Sequence, residues 1–512
     1  MASAQQHEQN QHVPIQRNPS QNENPVSVGW PGNIEDTENR SDAQNHSPTD
    51  ISLPSDPTKP LTWPRPQKWV ITIIVSCLTL IPPLSSTMVA PALANMAADL
   101  GIRNAVVSQL TFTIFMLAYA IGPLLLGPLS ETIGRSPVLL ASNVFYLAWT
   151  LGCGLARNKA ELIAFRFLAG VGGSAPLAVG AGVISDLWAP GERGQAVGIY
   201  SLAPLLGPAI GPLTGGWITE RTTWRWMFYS TSMAAGVVGV VGFVFIRETY
   251  VPVLLKQRQH HISREETSGS NTSESLTTRL RLASVRPLQF FVTEYIIMVV
   301  AIYMAAVFGV LYILLSTYPK VWTQEYGESP GIGALNYISL GLGYVLGSQI
   351  NACSSDAIYR RLLVRRNANE PQSSSKGEPE FRVPPMFVGS VLIPIGMFWY
   401  GWSVQAHTHW VMPNIGSFIF SLGSITCMQS MQAYVIDSYA EYAASGLAAA
   451  VLLRNIAAFG IPLFAPYMYD SLHYGWGNSV LGFASVVIGI PSPFLFWIYG
   501  KKIRGRSKFA VR

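Results

Sequence analysis

The chain has 512 residues, of which 12% are charged and 49% hydrophobic, with a formal net charge of +6 and a mean hydropathy of +0.28. A soluble protein needs about a quarter of its residues charged to cover its surface, so a soluble globular body is excluded. The apolar residues instead gather in runs of about 20, enough for a helix to cross a hydrocarbon core of roughly 30 Å, and the chain reads as a polytopic membrane protein.

Residues 1–66 are rich in Gln, Asn, Ser and Pro and hold more acids than bases. They cannot bury an apolar core and are predicted to form a disordered cytoplasmic tail. The polar opening is not the pattern of a cleavable signal peptide. Twelve apolar runs follow, near 69–91, 107–127, 137–156, 161–185, 196–218, 224–246, 290–315, 331–352, 384–404, 410–436, 444–469 and 477–500. Each must satisfy its own backbone polar groups, which predicts helices. The expected organisation is an all-α membrane protein with a six-helix bundle at 67–250, a cytoplasmic loop at 251–286, a second six-helix bundle at 287–500 and a basic tail at 501–512. Lys and Arg concentrate in alternate loops, which puts both termini in the cytoplasm.

Between the second and third runs lies Gly127-Pro-Leu-Ser-Glu-Thr-Ile-Gly-Arg135. Its acid and arginine, Glu131 and Arg135, are four apart, and the pattern returns between the eighth and ninth runs as Asp356 and Arg360. The spacing from Gly194 to Trp224 is also repeated from Gly446 to Trp476. Two related halves are implied, as in transporters built from parallel repeats. Asp186 ends the fourth run and Asp437 the tenth, at equivalent places. Arg135–Asp186 and Arg360–Asp437 bridges are therefore expected, formed when the cytoplasmic side closes; helix-end charges solvated by headgroups are the alternative.

The fourth run opens with Arg166 about one turn inside its apolar stretch. In the fifth, Gly207, Gly211 and Gly215 share one helix face and admit a neighbouring backbone. Pro208 and Pro212 weaken the hydrogen-bond ladder at the same level, and Gly216 follows directly. Arg454 lies near the middle of the eleventh run, where a cation must face a cavity or a partner. Glu294, at the start of the seventh run, is the expected partner. Asn336, Gln429 and Gln432 are candidates for an inward-facing polar set, with helix-to-helix bonding as the alternative. The four cysteines have no paired spacing and His407 and His409 read as solvated, so no metal site is expected. A nucleotide-binding Gly-Lys-Ser/Thr loop and catalytic clusters are also absent from the sequence.

These segments resemble the major facilitator superfamily, and within it the fungal drug:proton antiporters with twelve transmembrane helices. Gly127–Arg135 is similar to the family's loop 2–3 signature, Arg166–Gly173 to its helix-4 signature, and Gly207-Pro208…Gly215-Gly216 to its antiporter signature. Glu131 stands where the family usually has Asp, and Ser136 where a second base is common. The resemblance implies the major-facilitator fold and proton-coupled efflux of apolar or amphiphilic small molecules, a drug or a fungal secondary metabolite. A nutrient or sugar importer of the same fold is the alternative. Implied partners are the small-molecule substrate and the lipid bilayer, with no nucleic acid. A monomer in the plasma membrane is expected, with the vacuolar membrane as alternative, and no cofactor beyond the proton gradient. Because the central charge is Arg454, a neutral or weakly acidic substrate is expected over a polyamine, with Glu294 carrying the proton.

Overall fold

A computed structural model describes residues 60–189, 192–255, 289, 291–369, 377–439 and 443–507. The tail through residue 59, the loop at 256–288 and the end of the basic tail, with the expectations made for them, lie outside the described residues. Every regular element among the described residues is helical. The first half contains α1 (Arg65–Met88), α2 (Leu93–Asp99), α3 (Ala105–Ile133), α4 (Arg135–Leu155), α5 (Lys159–Gly173), α6 (Ala175–Leu187), α7 (Arg193–Arg221) and α8 (Arg225–Phe245). These make six passes, because α2 continues α1 across a short 3-10 turn and α6 continues α5 past Ser174, where Pro176 lies in its first turn.

The second half contains α9 (Tyr295–Lys320), α10 (Pro330–Leu335), α11 (Tyr337–Asn369), α12 (Pro384–Gln405), α13 (Val411–Ser438), α14 (Ala443–Gly460), α15 (Ala465–Gly489) and α16 (Pro491–Arg504). Among the described residues ten helical stretches are long and apolar enough to cross a membrane. The twelve predicted runs are recovered for two reasons. Gly446–Arg504, 59 residues long, is twice a single pass, and the chain turns back within it at His473, whose φ is +54°. The α10–α11 pass is diluted by Ser339, Ser348, Gln349 and Asn351, so its hydropathy falls below that of its neighbours. Two boundaries also move: α11 runs on to Asn369 rather than ending near 352, and α16 carries the chain four residues into the expected tail.

Within the first half α1 lies along α7, and α5 packs on both α3 and α4; in the second, α12 packs on α13, α9 on α14 and α11 on α13. Large apolar side chains on the outside, such as Phe243 at 78% exposure, face where lipid would be. Buried polar groups knit helices together inside. The Tyr318 hydroxyl reaches the Asn336 carbonyl at 3.2 Å, Ser339 at 3.2 Å, Asn414 at 3.1 Å and Ser417 at 3.1 Å, fastening α9, α11 and α13. The two halves meet along two seams, α3 against α14 and α7 against α10 and α11.

Candidate functional site

At one end of the first half, Gly134 turns the chain from α3 into α4 with φ +120°, a conformation that side-chain-bearing residues rarely adopt. The turn presents two free N–H groups at the start of α4. Arg135 N donates to Glu248 Oε1 at 2.9 Å and Ser136 N to Glu248 Oε2 at 3.1 Å, so a carboxylate caps the helix. The Arg135 guanidinium has its Nε 3.3 Å from Asp186 Oδ2, donates to Ser130 Oγ at 3.0 Å and sits 5.0 Å over the Tyr250 ring. Thr249 Oγ1 donates to Asp186 at 3.4 Å. The structure therefore brings Arg135 and Asp186 together. Glu131 is exposed on the far side of the Gly134 turn and makes no ion pair among the described residues.

The second half departs from expectation. Asp437 is paired with Arg382, not Arg360: Arg382 Nε lies 2.9 Å from Asp437 Oδ2 and its Nη1 2.8 Å from Asp356 Oδ1, with the guanidinium 4.5 Å over Tyr359. Arg360 is exposed and, among the described residues, donates to the Asp356 carbonyl at 3.3 Å without reaching Asp437. The reason is helical continuity. Since α11 runs unbroken through Asp356 and Arg360, the arginine four residues on stays on the same helix. The counterpart of Arg135, at the mouth of the next pass, is Arg382. Both pairs close within one half, so neither of them bridges the two halves.

Along α7 the glycines meet α1. A Cβ on Gly207 would lie 2.7 Å from Pro83 Cβ, one on Gly211 would lie 2.6 Å from the Leu84 carbonyl oxygen, and one on Gly215 would collide with the Met88 carbonyl oxygen. The Thr87 hydroxyl donates across this contact to the Gly207 carbonyl at 3.2 Å. Pro208 and Pro212 stand on the same stretch and remove two backbone donors. Gly216 turns the other way, to the second half: a Cβ there would sit 2.7 Å from the Pro330 carbonyl oxygen. One turn further, Glu220 Oε2 accepts from Gly331 N at 2.6 Å and Ser329 Oγ at 3.3 Å. This carboxylate fastens the end of α7 remote from Arg193 to α10.

Glu220→Ala is expected to loosen that end. A side-chain acceptor on otherwise free backbone donors contributes about 0.5–2 kcal/mol, so labelling of a cysteine placed at Ala334 by an impermeant maleimide should rise severalfold. An unchanged labelling rate would remove Glu220 from the closure.

Deeper in the bundle are two arginines that pair with no carboxylate among the described residues. Arg166 is 1% exposed; its Nη2 donates to the carbonyls of Ser86 at 3.4 Å and Phe112 at 3.3 Å, and its guanidinium lies 5.5 and 5.8 Å from the Phe115 and Phe228 rings. Arg454 donates to Asn455 Oδ1 at 3.3 Å and lies 4.4 Å over the Phe308 ring. The expected Glu294–Arg454 pair is not made. Glu294 is buried at the start of α9, where its Oε2 accepts from the Tyr439 hydroxyl at 2.8 Å, at the Arg382 end of the bundle. Opposite charge alone suggests the pair, but Arg454 lies about ten residues further along its helix from that end.

Aromatic rings connect the halves here. Phe112 of α3 lies 5.9 Å from Tyr312 of α9, Phe115 stacks on Tyr119 at 5.6 Å, and Phe308 meets Tyr312 at 5.2 Å. Asn455 Nδ2 donates across the seam to the Tyr119 carbonyl at 3.2 Å. The amides behave as helix-to-helix links: Asn336 donates to Glu328 at 2.8 Å and accepts from Asn414 at 2.6 Å, while Gln429 donates to Ser348 at 2.6 Å and accepts from Asn351 at 3.1 Å. Gln432 is half-buried on α13. His407 lies 3.6 Å from Glu325, beside a cavity of about 480 Å³ that Gln109, Lys320 and Asp470 also line. Sequence reasoning gave no site role to Glu248, Arg382 or Tyr312. For Glu248 a signal existed, an acid directly after the sixth apolar run; Tyr312 had none among so many aromatics.

Residues 75–462 match the model of the Major Facilitator Superfamily. The chain is 50% identical to the efflux pump vrtL of Penicillium aethiopicum over 89% of its own length and 90% of that protein. It is 37% identical to the efflux pump radE of Floropilus chiversii over 89% and 84% of the two chains. A crystal structure of a D-xylose–proton symporter superposes with a TM-score of 0.63 at 16% identity, covering 86% of this chain and 99% of that one, a likeness of fold.

Proposed function

Given that the chain belongs to the major facilitator superfamily and crosses the membrane many times, we propose that it is a proton-driven exporter of apolar or amphiphilic small molecules, a drug or a fungal secondary metabolite. The observation that carries this reading is the glycine face of α7 laid directly on α1, with Pro208 and Pro212 on the same stretch. Relatives named as efflux pumps, aligned over nearly nine-tenths of the chain, favour the same direction of transport.

The distribution of bases puts the Arg135 end in the cytoplasm and the Glu220 end outside. At that outer end α7 rests against α10. Export requires this contact to part while the mid-depth aromatic seam keeps its substrate from leaking back. Arg135 with Asp186 and Arg382 with Asp437 hold the cytoplasmic mouth of each half in shape during that motion. Glu294 is the proposed proton carrier: with Tyr439 as its bonded partner, gain or loss of a proton alters the link between α9 and the end of α13. The protein works as a monomer in the plasma membrane.

The test is efflux of a panel of labelled apolar compounds from cells with and without the protein, each with and without a proton uncoupler. Lower accumulation that the uncoupler abolishes is the expected result. Uncoupler-sensitive accumulation above the control would instead identify an importer. In Glu294→Gln the residual efflux should lose its dependence on outside pH.

A further inference from the structure

We propose that the mid-depth site around Arg454 binds its ligand as an anion: the ionised form of a weakly acidic, planar aromatic compound. This deepens the export reading and rests on it for the site's purpose, but not for its chemistry.

A guanidinium at membrane depth is costly unless something compensates its charge. Elsewhere in the protein compensation is visible: Asp99 for Arg225, Asp186 for Arg135, Asp437 and Asp356 for Arg382, Glu380 for Arg504. Among the described residues no carboxylate lies within 4 Å of Arg454 or Arg166. Arg166 is sealed between two rings and two carbonyls. Arg454 is partly exposed, and among the described residues its side chain donates to a neutral amide on the next residue.

The groups around Arg454 are donors and ring faces. Phe308, over which Arg454 lies at 4.4 Å, packs on Tyr312 at 5.2 Å, and the adjoining Asn455 bonds the Tyr119 carbonyl at 3.2 Å. The Tyr119 hydroxyl is buried, on a residue 5% exposed, and makes no hydrogen bond among the described residues. A buried hydroxyl left without a partner is uncommon and costs stability; an anionic oxygen between it and Arg454 would satisfy both. Phe308, Tyr312 and Phe112 supply flat apolar surface for the body of the ligand. The charge of such a ligand completes the site, which explains why no acidic side chain was needed there.

The experiment is equilibrium binding to the purified full chain at neutral pH with two probes of one shape, 2-naphthoate and 2-naphthamide. Charge-assisted bonds are stronger than neutral ones, and naphthoate is expected to bind about tenfold or more tightly than the amide, each tenfold being about 1.4 kcal/mol. Arg454→Gln should erase the preference and Arg454→Lys retain part of it. Tyr119→Phe, which removes only the unpartnered hydroxyl, should weaken naphthoate severalfold and leave the amide unchanged. Equal affinities in the unaltered protein, binding of neither probe at millimolar concentration, or a preference that survives Arg454→Gln would overturn the proposal. Because binding is measured without a gradient, an importer with this site would pass and an exporter lacking it would fail.

Discussion

Gly211→Val is expected to be among the most damaging single changes in the first half, and Gly216→Val, five residues along the same helix, to leave that half folded. At Gly211 the added side chain meets the Thr87 hydroxyl and the Leu84 carbonyl oxygen. A backbone atom cannot swing aside like a side-chain tip. Overpacking costs typically 1–3 kcal/mol, and here the upper end applies because α1 and α7 must separate. The purified variant should unfold several degrees lower and reach the membrane poorly. At Gly216 the obstacles are Ala334 and the Pro330 carbonyl oxygen, both in the opposite half. A valine there keeps the outer seam apart, so the variant should be normal in amount, readily labelled from outside at Ala334→Cys, and dead in export. The simpler idea that valines on this helix merely jam a sliding contact fails if Gly211→Val loses stability, since its neighbour belongs to the same half. Normal stability and export in Gly211→Val would discredit the close-packing argument itself.

Arg382→Ala carries the second large expected effect. One guanidinium serves Asp437 and Asp356, whose side chains are 31% and 67% exposed. Breaking a fully buried pair costs about 3–5 kcal/mol; discounted for solvent screening, the loss here is on the order of 1–2 kcal/mol. It falls on the mouth of the second half, and most export should disappear. Arg360→Ala, by contrast, should be nearly silent. If the two variants behave alike, the pairing in the second half has been misassigned. In the first half Arg135→Ala and Asp186→Asn are each expected to cripple export, with the double variant no worse than either single one; additive losses would count against a direct pair.

The passes were legible because hydropathy is a local property: a run of apolar residues declares itself without knowing its neighbours. The Arg135–Asp186 pair was legible for a different reason, the repeat, which marked both positions as recurring. The same repeat misled at Arg360. In the second half α11 runs on past Arg360 and the next pass begins only at Pro384, so spacing is preserved at Asp356 and Arg360 while the structural role passes to Arg382. Glu294 and Arg454 failed through depth, which periodicity does not report. Tyr119 and Tyr312 could not be singled out at all, since their significance arises only where α3 and α9 from different halves face each other.

The hydrogen bond from Asn455 to the Tyr119 carbonyl has a mechanical meaning. Rotation of one rigid body against another displaces each atom in proportion to its distance from the axis. Helix ends lie roughly 15 Å from mid-depth, so a contact such as Glu220 with Gly331 must be lost when the halves tilt. A bond at mid-depth barely changes length. Asn455 thus sits at the fulcrum of a lever, where a single amide can tether the halves through both strokes, and where its removal would alter not how far the arms swing but how faithfully they return.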